Sequence, residues 1–137
     1  MAMKPLSKII AEAEEKKTAK QQAAVLKQNH SPALKDICIY TFYPQVEWKL
    51  PPGKPPYQPL PESAEQEGKL YSEVKMLKYF TNTPDGLQMT DLKREQLFIQ
   101  VLEGLDPADA DLLCRMKDKD IKIKKAALQE AYPKEQW

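Results

Sequence analysis

The sequence predicts an all-α fold, with six to seven short helices in a compact bundle crossed by an extended proline-rich arm. Three observations carry this. Apolar residues recur three and four positions apart through most of the chain, as on one face of a helix. Serine, threonine or aspartate precedes several of these stretches, twice with proline immediately behind it, which is how helices begin. Seven of the 12 prolines fall between Pro44 and Pro61, where each locks its own backbone, lacks a donor and pushes its predecessor out of the helical region. The chain of 137 residues therefore reads as a single helical domain with a first block at 1–43, an arm at 44–61 and a second block at 62–137.

In the first block, Leu6, Ile9, Ile10 and Ala13 form a stripe that runs into Glu14-Glu15-Lys16-Lys17, so the first helix ends there. Thr18 and Gln21 have the spacing of a capping box for a second helix bearing Ala23, Val25 and Leu26. One long helix to Gln28 is the alternative. Ser31-Pro32 opens a third helix, running to about Phe42. Its Leu34, Ile37, Cys38, Ile39, Tyr40, Phe42 and Tyr43 cover almost the whole circumference, which predicts a central helix packed on several sides.

The arm must follow a polyproline-like path. Trp48, Leu50, Tyr57 and Leu60 are the side chains available to lash it to a helical surface. Its PxxP patterns, Pro52-Gly-Lys-Pro55 and Pro56-Tyr-Gln-Pro59, imitate ligands of SH3-type domains. Such patterns are common by chance, and the expected role is internal, with Trp48 and Tyr57 buried against helices.

In the second block, Ser63 and Gln66 read as a capping box for a helix carrying Leu70, Val74, Leu77 and Phe80. Thr81-Asn-Thr-Pro-Asp-Gly86 is turn chemistry. Thr90 caps a helix with Phe98, Val101, Leu102 and Leu105 inward, and Asp106-Pro107 opens another with Leu112, Leu113 and Met116 inward. Ile121 and Ile123 alternate in a short extended piece before a last helix, about Lys125 to Tyr132, that packs Ala127, Leu128 and Ala131.

Twenty-one basic against 20 acidic residues leave a formal charge of +1, so no global field marks a dedicated nucleic-acid binder and any such binding must be local. No apolar run approaches the ~18 residues of a membrane span, and the expectation is a cytoplasmic protein. Cys38 and Cys114 lie on apolar helix faces outside any ligand spacing and read as buried reduced thiols. His30 has no serine-histidine-acid or cysteine-histidine context and reads as a solvent or capping residue. Glu103, Asp106, Asp109 and Asp111 could in principle hold a divalent cation. Their spacing is not that of a calcium loop, and helix capping accounts for Asp106 and Asp109. The four glycines are isolated and form no phosphate loop. The expectation is no metal, no cofactor and no enzymatic activity.

Two features remain. Arg115, Lys117, Lys119, Lys122, Lys124 and Lys125 set six cations against two acids with isoleucines interleaved, a segment suited to phosphates or to an acidic partner. The bland reading is a solvated rim with its isoleucines in the core. Trp137, closing Tyr132-Pro-Lys-Glu-Gln-Trp137, either docks back on the domain or anchors a partner.

Several segments also occur in a familiar order: Asn29-His-Ser-Pro-Ala-Leu-Lys, Trp48-Lys-Leu-Pro-Pro-Gly-Lys-Pro-Pro-Tyr-Gln-Pro, Leu77-Lys-Tyr-Phe, Lys93-Arg-Glu-Gln-Leu-Phe-Ile-Gln-Val-Leu-Glu-Gly-Leu-Asp-Pro-Ala-Asp-Ala and Met116-Lys-Asp-Lys. Together they resemble a family of small uncharacterised proteins of tailed, myovirus-type bacteriophages, cyanophages included. The resemblance runs from about Leu26 to Pro133. The tail departs from the family pattern, in which members end shortly after Glu-Ala-Phe-Pro; here it reads Glu130-Ala-Tyr-Pro133 and continues to Trp137. The resemblance implies a phage gene product acting inside a bacterial cell, and it transfers no catalytic residue. The resulting expectation is a non-enzymatic accessory protein that binds a host or phage protein through Arg115, Lys117, Lys119, Lys122, Lys124, Lys125 and Trp137. The alternatives are a nucleic-acid-binding factor using the 115–125 segment and a minor virion or assembly protein.

Overall fold

Hydroxyl caps decide where the second and third helices begin. In the computed structural model, which describes residues 4–61 and 68–137, α1 spans Leu6–Glu15, α2 Ala19–Gln28 and α3 Pro32–Phe42. Thr18 accepts the amide of Gln21 at 3.2 Å and Ser31 that of Leu34 at 3.1 Å, so two helices stand where one long helix was the alternative. After the arm come α4 (Leu70–Glu73), a 3-10 helix (Val74–Phe80), α5 (Pro84–Leu87), α6 (Asp91–Glu103), α7 (Pro107–Lys117) and α8 (Lys125–Ala131). The fold is all-α among the described residues.

Two expectations change in detail, and a third falls on residues that are not described. The Ser63–Gln66 capping box lies outside the described residues. The helix expected to run to Phe80 tightens into a 3-10 helix after Glu73, where buried Val74, Leu77 and Phe80 recur every third residue and line up in one row at three residues per turn. The stretch read as a turn at 81–86 holds a one-turn helix, since Thr83 Oγ1 accepts the Gly86 amide at 3.1 Å with Pro84 at the first helical position. These two changes raise the count from the expected six or seven helices to eight plus the 3-10 segment.

The central helix is α7, not α3. It packs on α1, α3 and α6 and buries Ala110, Leu112, Leu113, Cys114 and Met116. On α3, which packs on α7 and the 3-10 helix, Tyr40 and Phe42 are half-buried, as is Tyr43 at its end. Apolar residues of both blocks join one core. At its edge Asp109, in the first turn of α7, accepts the Ser7 amide in the first turn of α1 at 3.2 Å. One carboxylate thus serves the amide ends of two helices.

The arm is lashed down as expected at Trp48, while Leu50, Tyr57 and Leu60 are half-buried. The Trp48 ring stacks on Phe80 and meets Phe98 edge-on, both at 6.5 Å, and its Nε1 donates to Tyr40 O at 2.8 Å. Lys49 N donates to Phe80 O, and Asn82 N to Glu47 O, at 2.8 and 2.9 Å. Prolines bring carbonyls without amides, so other donors are needed. Arg94 on α6 reaches Lys49 O at 3.4 Å, and Lys117 on α7 reaches Pro51 O and Gly53 O at 2.9 and 2.8 Å.

Candidate functional site

The structure divides the six cations of the 115–125 segment. Lys117, with its side chain 2% exposed, uses its ammonium on Pro51 O, Gly53 O and Asp118 Oδ1. Lys119, at φ 57°, turns the chain out of α7 and donates to Thr41 O at 2.7 Å and Tyr40 O at 3.3 Å, covering the carbonyl end of α3. Partial burial holds its ammonium pKa below the ordinary lysine value. Arg115 pairs with Glu14 and donates to Asp120 O, and the pairing pushes its pKa up. Those three cations are committed to internal contacts.

Lys122, Lys124 and Lys125 face solvent, and among the described residues they join no ion pair. Their backbone explains why. Glu14 accepts the Lys122 amide at 2.8 Å, while buried Gln22 donates to Lys122 O at 3.2 Å and accepts the Lys124 amide at 2.9 Å. Held on that side by α1 and α2, the extended run turns Ile121 and Ile123 into the core and the lysines out.

Trp137 docks back on the domain yet stays half-exposed. Its Nε1 donates to Tyr132 O at 3.0 Å, and its ring meets Tyr43 edge-on at 5.2 Å. Tyr43 hydrogen-bonds Glu135, which also pairs with Lys35. His30 Nδ1 lies 3.1 Å from the Tyr132 hydroxyl. Lys125 and Trp137 line one pocket of about 280 Å³ with Phe42, Pro44, Ile123 and Leu128. Of the seven sequence-predicted residues, these are the two that meet in one pocket.

Sequence reasoning read Phe42 as core and Pro44 as a helix stop, and passed over Glu14 and Gln22. A glutamine at an inward position of α2 was the available signal, because a buried amide needs partners. A larger groove of about 420 Å³ runs between the arm and α6, with Pro52, Pro55, Phe98, Ile99 and Glu95 in its lining. The one predicted residue there, Lys117, is already spent on arm carbonyls.

The acids weighed for a cation are dispersed. Glu103 accepts the Gln58 amide, Asp111 pairs with Lys54 and Asp109 accepts the Ser7 amide; among the described residues no three ligand-type side chains are grouped to hold a metal. Cys38 and Cys114 are free thiols, and burial pushes the pKa of Cys38 up to about 12 and that of Cys114 upward. Among the described residues no helix is long and apolar enough to cross a membrane.

Residues 9–123 match the model of a family of unknown function, DUF6433. The chain belongs to that family. No curated protein and no solved structure matches it. The DUF6433 span takes in the Glu14 and Gln22 clamp and Arg115 to Lys122, while Lys124, Lys125 and Trp137 lie beyond it.

Proposed function

We propose that the chain is a non-enzymatic accessory protein of a tailed phage that binds another protein, host or phage, in the bacterial cytoplasm. Support for the phage setting is the ordered sequence resemblance between Leu26 and Pro133. The observation that carries the binding reading is the pocket of about 280 Å³ shared by Lys125 and Trp137. Its floor of Phe42, Pro44, Ile123 and Leu128 is apolar, and its rim carries Lys125, with exposed Lys122 and Lys124 on the adjoining run. An apolar partner side chain flanked by acids fits that combination, and a half-exposed tryptophan is the residue type that dominates such contacts.

The test is recovery of tagged protein from infected cells after nuclease treatment, with mass spectrometry of what stays bound. Trp137→Ala is expected to weaken a nuclease-resistant protein partner at least tenfold, a loss of about 1.4 kcal/mol or more. Lys125→Glu, a change on the exposed rim, is expected to act in the same direction without touching the core. Full binding by both variants would remove the pocket from the argument.

A further inference from the structure

Two segments about 100 residues apart in sequence, each bearing exposed lysines, are hydrogen-bonded to one another. The Glu14 and Gln22 bonds to residues 122–124 place the last turn of α1 and the first turn of α2 against that run. Between these two anchors lie Lys16 and Lys17 in the connection and Lys20 in the first turn of α2, all exposed. Lys122 and Lys124 are exposed on the anchored run itself, with Lys125 next in the chain. Glu14 is withdrawn from the surface by Arg115 and the Lys122 amide, and Asp118 is turned to Lys117 and the Gly53 amide. The acids exposed in these segments are Glu15, Asp118 and Asp120, of which Asp118 is paired with Lys117. Six lysines against Glu15 and Asp120 concentrate four positive charges on a chain whose formal total is +1, so the remainder of the molecule is net acidic.

We propose that this surface binds the phosphate backbone of duplex nucleic acid without reading its sequence. The composition selects that partner. Protein interfaces of useful affinity are built on buried aromatic or arginine anchors, whereas Thr18, Gln21 and Ala24 are the exposed neighbours here. Single strands are held by aromatic stacking platforms, whereas here Phe42 and Trp137 adjoin only Lys125 among these lysines. Flexible point charges suffice for a duplex, which carries a charge about every 1.7 Å along its axis and releases counterions on contact. The surface shares Lys125 with the rim of the Trp137 pocket and Lys122 and Lys124 with the run adjoining it, so variants at Lys16, Lys17 and Lys20, which do not line that pocket, are what separate the two readings.

The experiment is fluorescence anisotropy of the whole chain with a labelled mixed-sequence duplex of about 25 base pairs, titrated from about 50 to 200 mM salt. Engagement of roughly five phosphates gives a slope of log affinity on log salt of about −4 to −5. Lys16→Glu, Lys17→Glu and Lys20→Glu together are expected to weaken binding at least tenfold at low salt, and Lys122→Glu with Lys124→Glu to do the same. The glutamine versions, which add no repulsion, should cut the slope by about half while the far-ultraviolet circular dichroism stays that of the parent. Absence of binding at about 50 mM salt, or reversed variants that bind as the parent does, would overturn the proposal. So would displacement of the duplex by polyglutamate at equal charge concentration, which would assign the surface to an acidic protein.

Discussion

Replacing Lys117 with methionine tests whether a buried cation holds the arm in place. Methionine keeps the length and packing of the stem and removes only the ammonium, which makes three contacts of 2.7 to 2.9 Å with Pro51 O, Gly53 O and Asp118 Oδ1. Hydrogen bonds from a charged donor contribute about 1.5–3 kcal/mol each. Two effects reduce the total. Pro51 and Gly53 are exposed residues whose carbonyls water can reach after the change, and removing the ammonium also removes the several kcal/mol spent on burying it. A net loss of about 2–3 kcal/mol follows, which lowers the melting temperature of a chain this size by roughly 6–12 °C. The local consequence is more specific. The Gly53 amide, held by Asp118 at 3.2 Å, should exchange with deuterium faster, and trypsin should cut after Lys49 more readily, because the arm opens before the helices do. Circular dichroism melting with amide exchange reads both effects. Melting within about 1 °C of the parent, with unchanged exchange at Gly53, would show that prolines and Trp48 alone hold the arm.

Trp48→Ala empties the space beside the Phe80–Phe98 pair and should cost about 3–4 kcal/mol by urea unfolding; a loss under about 1 kcal/mol would refute the aromatic cluster. Gly86→Ala is expected to cost more than about 2 kcal/mol, since an added Cβ would sit 2.0 Å from Thr81 O and 2.7 Å from Lys78 O, both backbone atoms; parent-like melting would contradict that geometry. Burial pushes the carboxyl pKa of Asp109 up, against the opposing bonds from Ser7, so the folded state holds this proton more tightly than the unfolded chain does. Stability therefore falls as pH rises from the ordinary aspartate range, about 4, through the raised folded value. Asp109→Asn keeps an acceptor for the Ser7 amide and should flatten that part of the urea-midpoint profile; parallel profiles would sink the assignment.

Much of the fold was legible because its signals are local. Thr18, Ser31 and Thr90 each accept an amide three residues on, Pro107 takes the first helical position behind Asp106, and all four signals stand at helix starts. The errors arose where a local pattern admits two periods or where packing decides. Val74, Leu77 and Phe80 satisfy both an α and a 3-10 face, and the apolar circumference of α3 said nothing about whether helices or strands of loop would cover it. The candidate site was less legible still. Trp137 and Lys125 were each singled out, but that they share a pocket with Phe42 and Pro44 depends on where α3 ends relative to α8.

By itself the sequence determined the all-α class and the starts of α2, α3, α6 and α7, since capping, hydrophobic periodicity and proline stereochemistry operate within a turn or two of the chain. Only the tertiary structure decided what each lysine does. Lys117 and Lys122 look alike as letters in one basic run, yet one is drawn inside by arm carbonyls more than 60 residues away and the other is left in water. The physical reason is that proline removes donors from one segment, and the deficit is met by whichever cation the packing of another segment brings within reach.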